Sequence, residues 1–331
     1  MKLVERIEAM VSLGKYLNEN NADWKEAKIK AYQNNAWFTT EFIDLATANI
    51  TNNFLQKDKL EEWVHHYFLD DNIIPKNVGI VMAGNIPLVG FHDMLCVFIS
   101  GHRQTIRMSS KDNVLLKHLA EFLAQEFPQI IDFITFADML KGCDAYIATG
   151  ATNTSRYFQQ YFGAYPNIIR TNRTSVAILE GNETVDQLDL LADDVHAYFG
   201  LGCRNVTKLY VPENYDFIPL LAACEKYNYM QDHPKYKNNY DYYLALQIMN
   251  NRYYMTDGNI ILTEDEQPFS AISTLHYSYY NDRSALLDQL SNNEHIQCIV
   301  AQGYTEFGQS QNPDLIIYAD GTDTMQFLLA L

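Results

Sequence analysis

The sequence predicts an α/β protein: a doubly wound parallel sheet preceded by a helical segment and followed by a second α/β region. Two observations carry this. From Pro75 onward, short apolar runs alternate with stretches of helical length and helical periodicity, the rhythm of parallel βα units. Before Pro75 the pattern is helical throughout.

Residues 1 to about 70 read as helices, since segments such as Asp23–Tyr32 and Lys59–Phe68 mix charge with apolar residues at three-to-four spacing and lack internal Gly and Pro. Val78–Ala83 is a continuous apolar run, as a strand buried on both faces should be. Gly84-Asn85-Ile86-Pro87 breaks it, and an apolar helix follows to about Ser100. Gln104–Met108 is the next strand and Asn113–Glu126 an amphipathic helix. Ile130–Phe136 and Ala145–Ala148 are further strands, and a helix from about Thr154 leads to Asn167–Arg170. Beyond that, Ser175–Leu179, Asn205–Val211, Asn259–Leu262, Ala271–Tyr277 and Ile296–Ala301 are expected as strands. Thr184–Phe199, Phe217–Tyr227 and Tyr240–Met249 are expected as helices. Asp314–Tyr318 reads as a short strand, a candidate edge for oligomerisation, before a helical end over Asp320–Leu331. No Gly/Ser-rich linker separates the halves. The expected division is 1–172, 173–300 and a tail over 301–331.

The 331 residues are 47% hydrophobic and 20% charged, ordinary for a soluble globular chain, and no run of 18 apolar residues suggests a membrane span. The first residues, MKLVERIEAM, lack the apolar stretch of a secretory signal, so the cytoplasm is the expected compartment. A net charge of −17 argues against a nucleic-acid partner, which needs a basic patch to displace counterions. Five cysteines without a CxxC pair fit neither a disulfide framework nor a zinc site, and HExxH is absent, so no metal is expected.

Three motifs carry chemistry. Gly84-Asn85-Ile86-Pro87 places an amide at the carboxyl end of a buried strand, where open α/β sheets bind ligands, although a plain strand-to-helix turn reads the same way. Thr149-Gly150-Ala151-Thr152 again follows a strand and opens a helix. Glycine there permits close backbone approach, and the helix start favours anions. Gly200-Leu201-Gly202-Cys203 sets a cysteine after two glycines between a helix and a strand. A thiolate is the reactive form, and such a loop raises Cys203 above the other four cysteines, of which Cys96 and Cys298 look buried. GxSxG is absent, against an α/β-hydrolase.

In order and spacing these motifs resemble the aldehyde dehydrogenase superfamily, and more narrowly the acyl-CoA reductases of the bacterial bioluminescence fatty-acid reductase type. The resemblance runs from about Val78 onward. Gly84-Asn85-Ile86-Pro87 sits at that family's Trp-Asn-x-Pro loop, and Arg107-Met108-Ser109-Ser110-Lys111 at its Lys-Pro-Ser cofactor stretch. Thr149-Gly150-Ala151-Thr152 is similar to its Thr-Gly-Ser segment, and Gly202-Cys203 to its Gly-Gln-x-Cys nucleophile loop. Thr263–Phe269 falls in the region of its Glu-x-Phe-Gly-Pro element, with Glu264 or Glu266 as the glutamate. The family's general-base glutamate has no counterpart, because the equivalent stretch is Ile169-Arg170-Thr171-Asn172.

The resemblance implies an aldehyde-dehydrogenase-like fold with a dinucleotide-binding first part and a catalytic α/β second part. It implies Cys203 as the nucleophile that forms an S-acyl enzyme, and Asn85 with the Cys203 N–H as oxyanion donors. The missing base favours reduction of an acyl-CoA, whose thiol leaves without activated water, over oxidation to a free acid. The cofactor is expected to be NADPH, with NADH as an alternative, because Lys111 stands near the position where NAD-preferring relatives carry an acid. Gly84, Ile86, Pro87, Met108, Ser110, Lys111, Thr149, Gly150, Thr152 and Glu264 are the expected cofactor contacts. A homo-oligomer and an acyl-donating protein partner fit the same reading. So do two rivals, a thiol acyltransferase without reduction and a non-catalytic cofactor-binding relative.

Overall fold

The computed structural model describes residues 1–150 and 152–331, which form two compact units. The first comprises Met1–Asn172 and Pro313–Leu331, and the second Arg173–Asn312.

The first unit opens with four helices, α1 (Leu3–Glu19), α2 (Ala22–Asn34), α3 (Thr40–Phe54) and α4 (Lys57–His66). Asn21 caps α2 by accepting the Trp24 N–H, and Thr39 caps α3 by accepting that of Phe42, each satisfying a donor the first turn leaves free. The sheet follows as β1 (Asn77–Val81), α5 (Phe91–Ser100), β2 (Arg103–Arg107), α6 (Leu115–Glu126), β3 (Ile134–Phe136), β4 (Ala145–Thr149), α7 (Thr152–Phe162) and β5 (Asn167–Arg170). Its order is β3-β2-β1-β4-β5, all parallel. The order reverses at β1, so the carboxyl ends of β1 and β4 flank a switch point, where such sheets hold ligands. The helical segment is no appendage. Leu13, Trp24, Ile43, Leu60 and Trp63 share one core with Met94, Val97, Ile106 and Ile147. The strand expected over Ile130–Phe136 shortens to β3, because Pro128 starts a 3-10 turn through Asp132.

The second unit runs β6 (Thr174–Ile178), α8 (Val185–His196), β7 (Val206–Val211), α9 (Ile218–Cys224), α10 (Pro234–Met249), β8 (Met255–Thr256), β9 (Ile261–Glu264), β10 (Thr274–Tyr279), α11 (Arg283–Ser291) and β11 (Ile296–Val300). The sheet order is β11-β6-β7-β10-β9-β8, parallel except where β8 meets β9. Thr184 and Gln187 form a capping box at the start of α8. Helix α10 starts at Pro234 rather than Tyr240, since proline is pre-set for a first helical turn and His233 caps it by accepting the Tyr236 N–H.

Residues 301–331 do not form one tail. The segment to Asn312 stays with the second unit, where the buried Asp194 carboxylate accepts the N–H groups of Gly308 and Ser310. From Pro313 the chain returns to the first unit and ends its regular structure in α12 (Thr324–Leu329). Asp314–Tyr318 is a turn and not the expected strand. Leu315 and Tyr318, three apart, both point into the core, and the Tyr318 hydroxyl accepts from the Trp63 indole at 2.9 Å. A strand would put them on opposite faces. The strand offered as a candidate edge is therefore not formed over these residues. No helix among the described residues is long and apolar enough to cross a membrane.

Candidate functional site

The cysteine singled out by its glycines lies on a rigidly held loop of the second unit. After α8 the chain turns through three successive left-handed residues, Tyr198 (φ 54°), Phe199 (φ 58°) and Gly200 (φ 74°). For Tyr198 and Phe199 that conformation costs about 1–2 kcal/mol each. Their side chains are buried, and Phe199 packs on His233 and Tyr236 at 4.7 and 5.7 Å between ring centres. This turn also ends α8 short of the expected Phe199.

Asn205 fixes the loop from beneath. It is fully buried. Its side-chain oxygen accepts the Gly202 N–H at 2.7 Å, and its amide nitrogen donates to the carbonyls of Asp194, Val195 and Ala197. The end of α8 and the backbone before Cys203 are thus tied by one side chain. Ser175, at the start of β6, donates to the Cys203 carbonyl at 3.1 Å and accepts from the Cys298 thiol at 3.0 Å.

Cys203 is half-buried, while Cys96, Cys143 and Cys224 are buried. Cys298, expected to be buried, is half-buried as a residue, yet burial pushes its thiol up, so the sulfur itself is sequestered. Burial raises the thiols of Cys96, Cys143 and Cys224 as well. Four of the five cysteines are therefore held against ionisation, and a thiol held neutral is a poor nucleophile.

The first unit carries a groove of about 630 Å³ at the carboxyl ends of its strands. Of the expected cofactor residues, Met108, Ser110 and Thr149 border it, with Ser109, Asn113 and Thr154 beside them. Lys111 does not border it. Its backbone N–H bonds Ser109 Oγ, its carbonyl accepts from Asn35, and its side chain points to solvent. The cations that do border the groove are Arg107, at the end of β2, and Lys117, in the first turn of α6, with Asp138 as the one acid. Neither cation is ion-paired among the described residues. Neither was singled out in the sequence: Arg107 lay within the expected strand Gln104–Met108, which ends at Arg107, and Lys117 needed the helix's orientation.

Gly84, Asn85, Ile86, Pro87 and Gly150 do not border the groove. A Cβ on Gly84 would lie 2.6 Å from Ser109, and one on Gly150 would lie 2.8 Å from the Phe158 ring. Both glycines let neighbouring segments close up where a side chain would hold them apart. Ala151 and the Thr152 side chain lie outside the described residues. Glu264 and Glu266 both border a separate hollow of about 510 Å³ in the second unit. Lys208, which the sequence did not single out, anchors that segment by donating to the Asp265 carbonyl, helped by Thr207 on Pro268 at 2.6 Å. Burial lowers the Lys208 pKa, against the pull of Glu266 and its neighbours.

Where the resembled family has its base, Arg170 is buried, its guanidinium 2.6 Å from Asp93 on α5 and 2.8 Å from Thr324 Oγ1. The following Thr171 and Asn172 are exposed and carry no carboxylate.

No family model and no curated protein matches the chain. Solved aldehyde dehydrogenases do match its structure. KauB of Pseudomonas aeruginosa aligns with a TM-score of 0.71 at 10% identity, over 99% of this chain and 83% of that one. A variant of the Bacillus cereus aldehyde dehydrogenase gives 0.70 at 11%, over 99% and 82%. An indole-3-acetaldehyde dehydrogenase variant of P. syringae, in complex with NAD+ and IAA, gives 0.59 at 12%, over 87% and 69%. The chain thus has an aldehyde-dehydrogenase-like α/β fold.

Proposed function

We propose that the protein is a nicotinamide-dependent oxidoreductase of the aldehyde group, and specifically an acyl-CoA reductase working through an S-acyl Cys203. The observation that carries this reading is the Cys203 loop: a half-buried cysteine sits on backbone that Asn205 and Ser175 hold in place. A fixed nucleophile pays its positioning entropy in the fold rather than in the reaction. In this reading the Cys203 sulfur attacks the thioester carbonyl, the C–S bond to CoA breaks, and CoA leaves as the thiol. Asn85 and the Cys203 N–H serve as oxyanion donors.

Arg170, locked to Asp93, supports release of aldehyde over hydrolysis, since no carboxylate stands in that stretch to activate water. The first unit is read as dinucleotide-binding. Met108, Ser110 and Thr149 would hold the cofactor, and Arg107 and Lys117 supply positive charge suited to the extra phosphate of NADPH. When bound, the reduced nicotinamide supplies the hydride.

The test is to incubate the protein with acyl-CoAs of rising chain length plus NADPH, following cofactor absorbance and intact protein mass together. An adduct on Cys203 with NADPH consumption is expected, and the best substrate sets the chain length. An adduct without consumption would make the protein an acyltransferase. Nucleotide binding with neither signal would make it a non-catalytic relative.

A further inference from the structure

The loop that carries Asn85 and the turn that borders the nucleotide groove are built as one piece. Three points join the loop to its neighbours. Gly84 lies against Ser109, where a Cβ would come within 2.6 Å of that side chain and 3.2 Å of the Asp112 backbone nitrogen. Gly90 lies against the Met82 side chain at the same 2.6 Å. Between them Leu88 adopts a left-handed conformation (φ 56°), unfavourable for a branched side chain, and its N–H donates to Asp112 Oδ2 at 2.8 Å. Asp112 is buried, and its second oxygen has no hydrogen-bond partner. A buried carboxylate left half-satisfied is costly, and a solvated surface loop would not retain one without return. The same turn is closed by Asp112 N–H on the Ser109 carbonyl at 3.2 Å, and its Ser109 and Ser110 border the groove.

We propose that Asp112 is a positioning residue: its carboxylate ties the Asn85 loop to the groove-bordering turn, so that a nucleotide pressing on that turn also sets the placement of Asn85. What Asn85 does rests on the function proposed above; the tie itself does not. Coupling of this kind runs both ways, so a ligand in the groove and order in the loop must favour one another.

Two variants test it in the full-length protein, Asp112→Ala and Asp112→Asn, the latter keeping an acceptor oxygen of the same reach. Amide hydrogen exchange at Leu88 is measured with and without NADPH, NADPH affinity by nicotinamide fluorescence, and Cys203 acylation by mass. In wild type, NADPH should slow exchange at Leu88. Asp112→Ala should speed that exchange at least about tenfold, abolish the NADPH effect on it, and slow acylation by about tenfold to a hundredfold, the range for a misplaced catalytic group. NADPH affinity should fall by no more than the factor by which NADPH slows Leu88 exchange in wild type, because the coupling is reciprocal, and Asp112→Asn should restore most of the acylation rate. Unchanged Leu88 exchange in Asp112→Ala would overturn the tie. So would a parallel loss of affinity, acylation and melting temperature that Asn fails to rescue, which is the signature of a merely structural carboxylate. If wild type is never acylated, the functional reading falls, while the tie still stands or falls on Leu88.

Discussion

The two regions that would carry the chemistry are held by opposite means. In the second unit a single fully buried amide, Asn205, satisfies four backbone groups and fixes a turn of three left-handed residues ahead of Cys203. In the first unit the groove residues stand on strand ends, on the turn after β2 and on α6 and α7. There Arg107 and Lys117 are exposed and make no ion pair among the described residues. The difference teaches what each task needs. A nucleophile must not move, so its supports are internal and polar. A site that takes up and releases a large anion needs charge left unpaired until the ligand arrives.

The sharpest way to probe the contrast is to remove the proposed nucleophile. Cys203→Ala should abolish S-acylation in intact mass spectra while leaving NADPH fluorescence titrations unchanged. Persistent acylation would move the chemistry to another thiol, with Cys298 next to be tested. Asn205→Ala should cost about 3 kcal/mol or more, read as a lower melting temperature, since it leaves one buried N–H and three carbonyls without their partner. An Asn205→Ala protein of wild-type stability would show that the strained turn stands without it.

On the groove side, Arg107→Ala and Lys117→Ala should each weaken NADPH binding about tenfold and leave NADH nearly untouched, as fits loss of one charged contact. Lys111→Ala should change neither affinity. Equal losses for both nucleotides would remove the phosphate-selective role.

The smallest effect concerns Asp112, whose carboxyl burial pushes up to about 7. The folded state then holds a proton that the unfolded chain gives up near the ordinary carboxylate value, so stability should fall as pH rises from about 4 to 7 and level off above. Asp112→Asn should flatten that slope in melting curves. An unchanged slope would assign it to other groups, foremost Asp194, whose carboxyl burial lifts to about 6.

Much of this architecture was legible. The parallel sheet of the first unit followed from Val78–Ala83 and Ala145–Ala148, because a strand covered on both faces must be apolar without a break. Cys203 stood out because two glycines precede it. The conformation ahead of it did not, since Tyr198 and Phe199 are poor left-handed residues on any local scale and hold that shape only through burial. Lys111 was read from its place in the Arg107–Lys111 stretch of the resemblance, whereas the groove is reached by whichever side chain the face of α6 presents, here Lys117. The Asp314–Tyr318 strand failed for a related reason. The continuous apolar run Leu315–Tyr318 looks like a buried strand until a core takes Leu315 and Tyr318 and leaves Ile316 and Ile317 outside.

The return of residues 313–331 to the first unit has a consequence for how the protein is made. Arg170 can meet Asp93 as soon as β5 emerges from the ribosome, but its second partner, Thr324, is translated 154 residues later. The Arg173–Asn312 unit can fold while the first still lacks α12, so the earlier-made half is the later-finished one. Until then the apolar ground that Leu315, Met325 and Leu328 will cover lies open, the kind of transiently exposed surface on which folding chains associate.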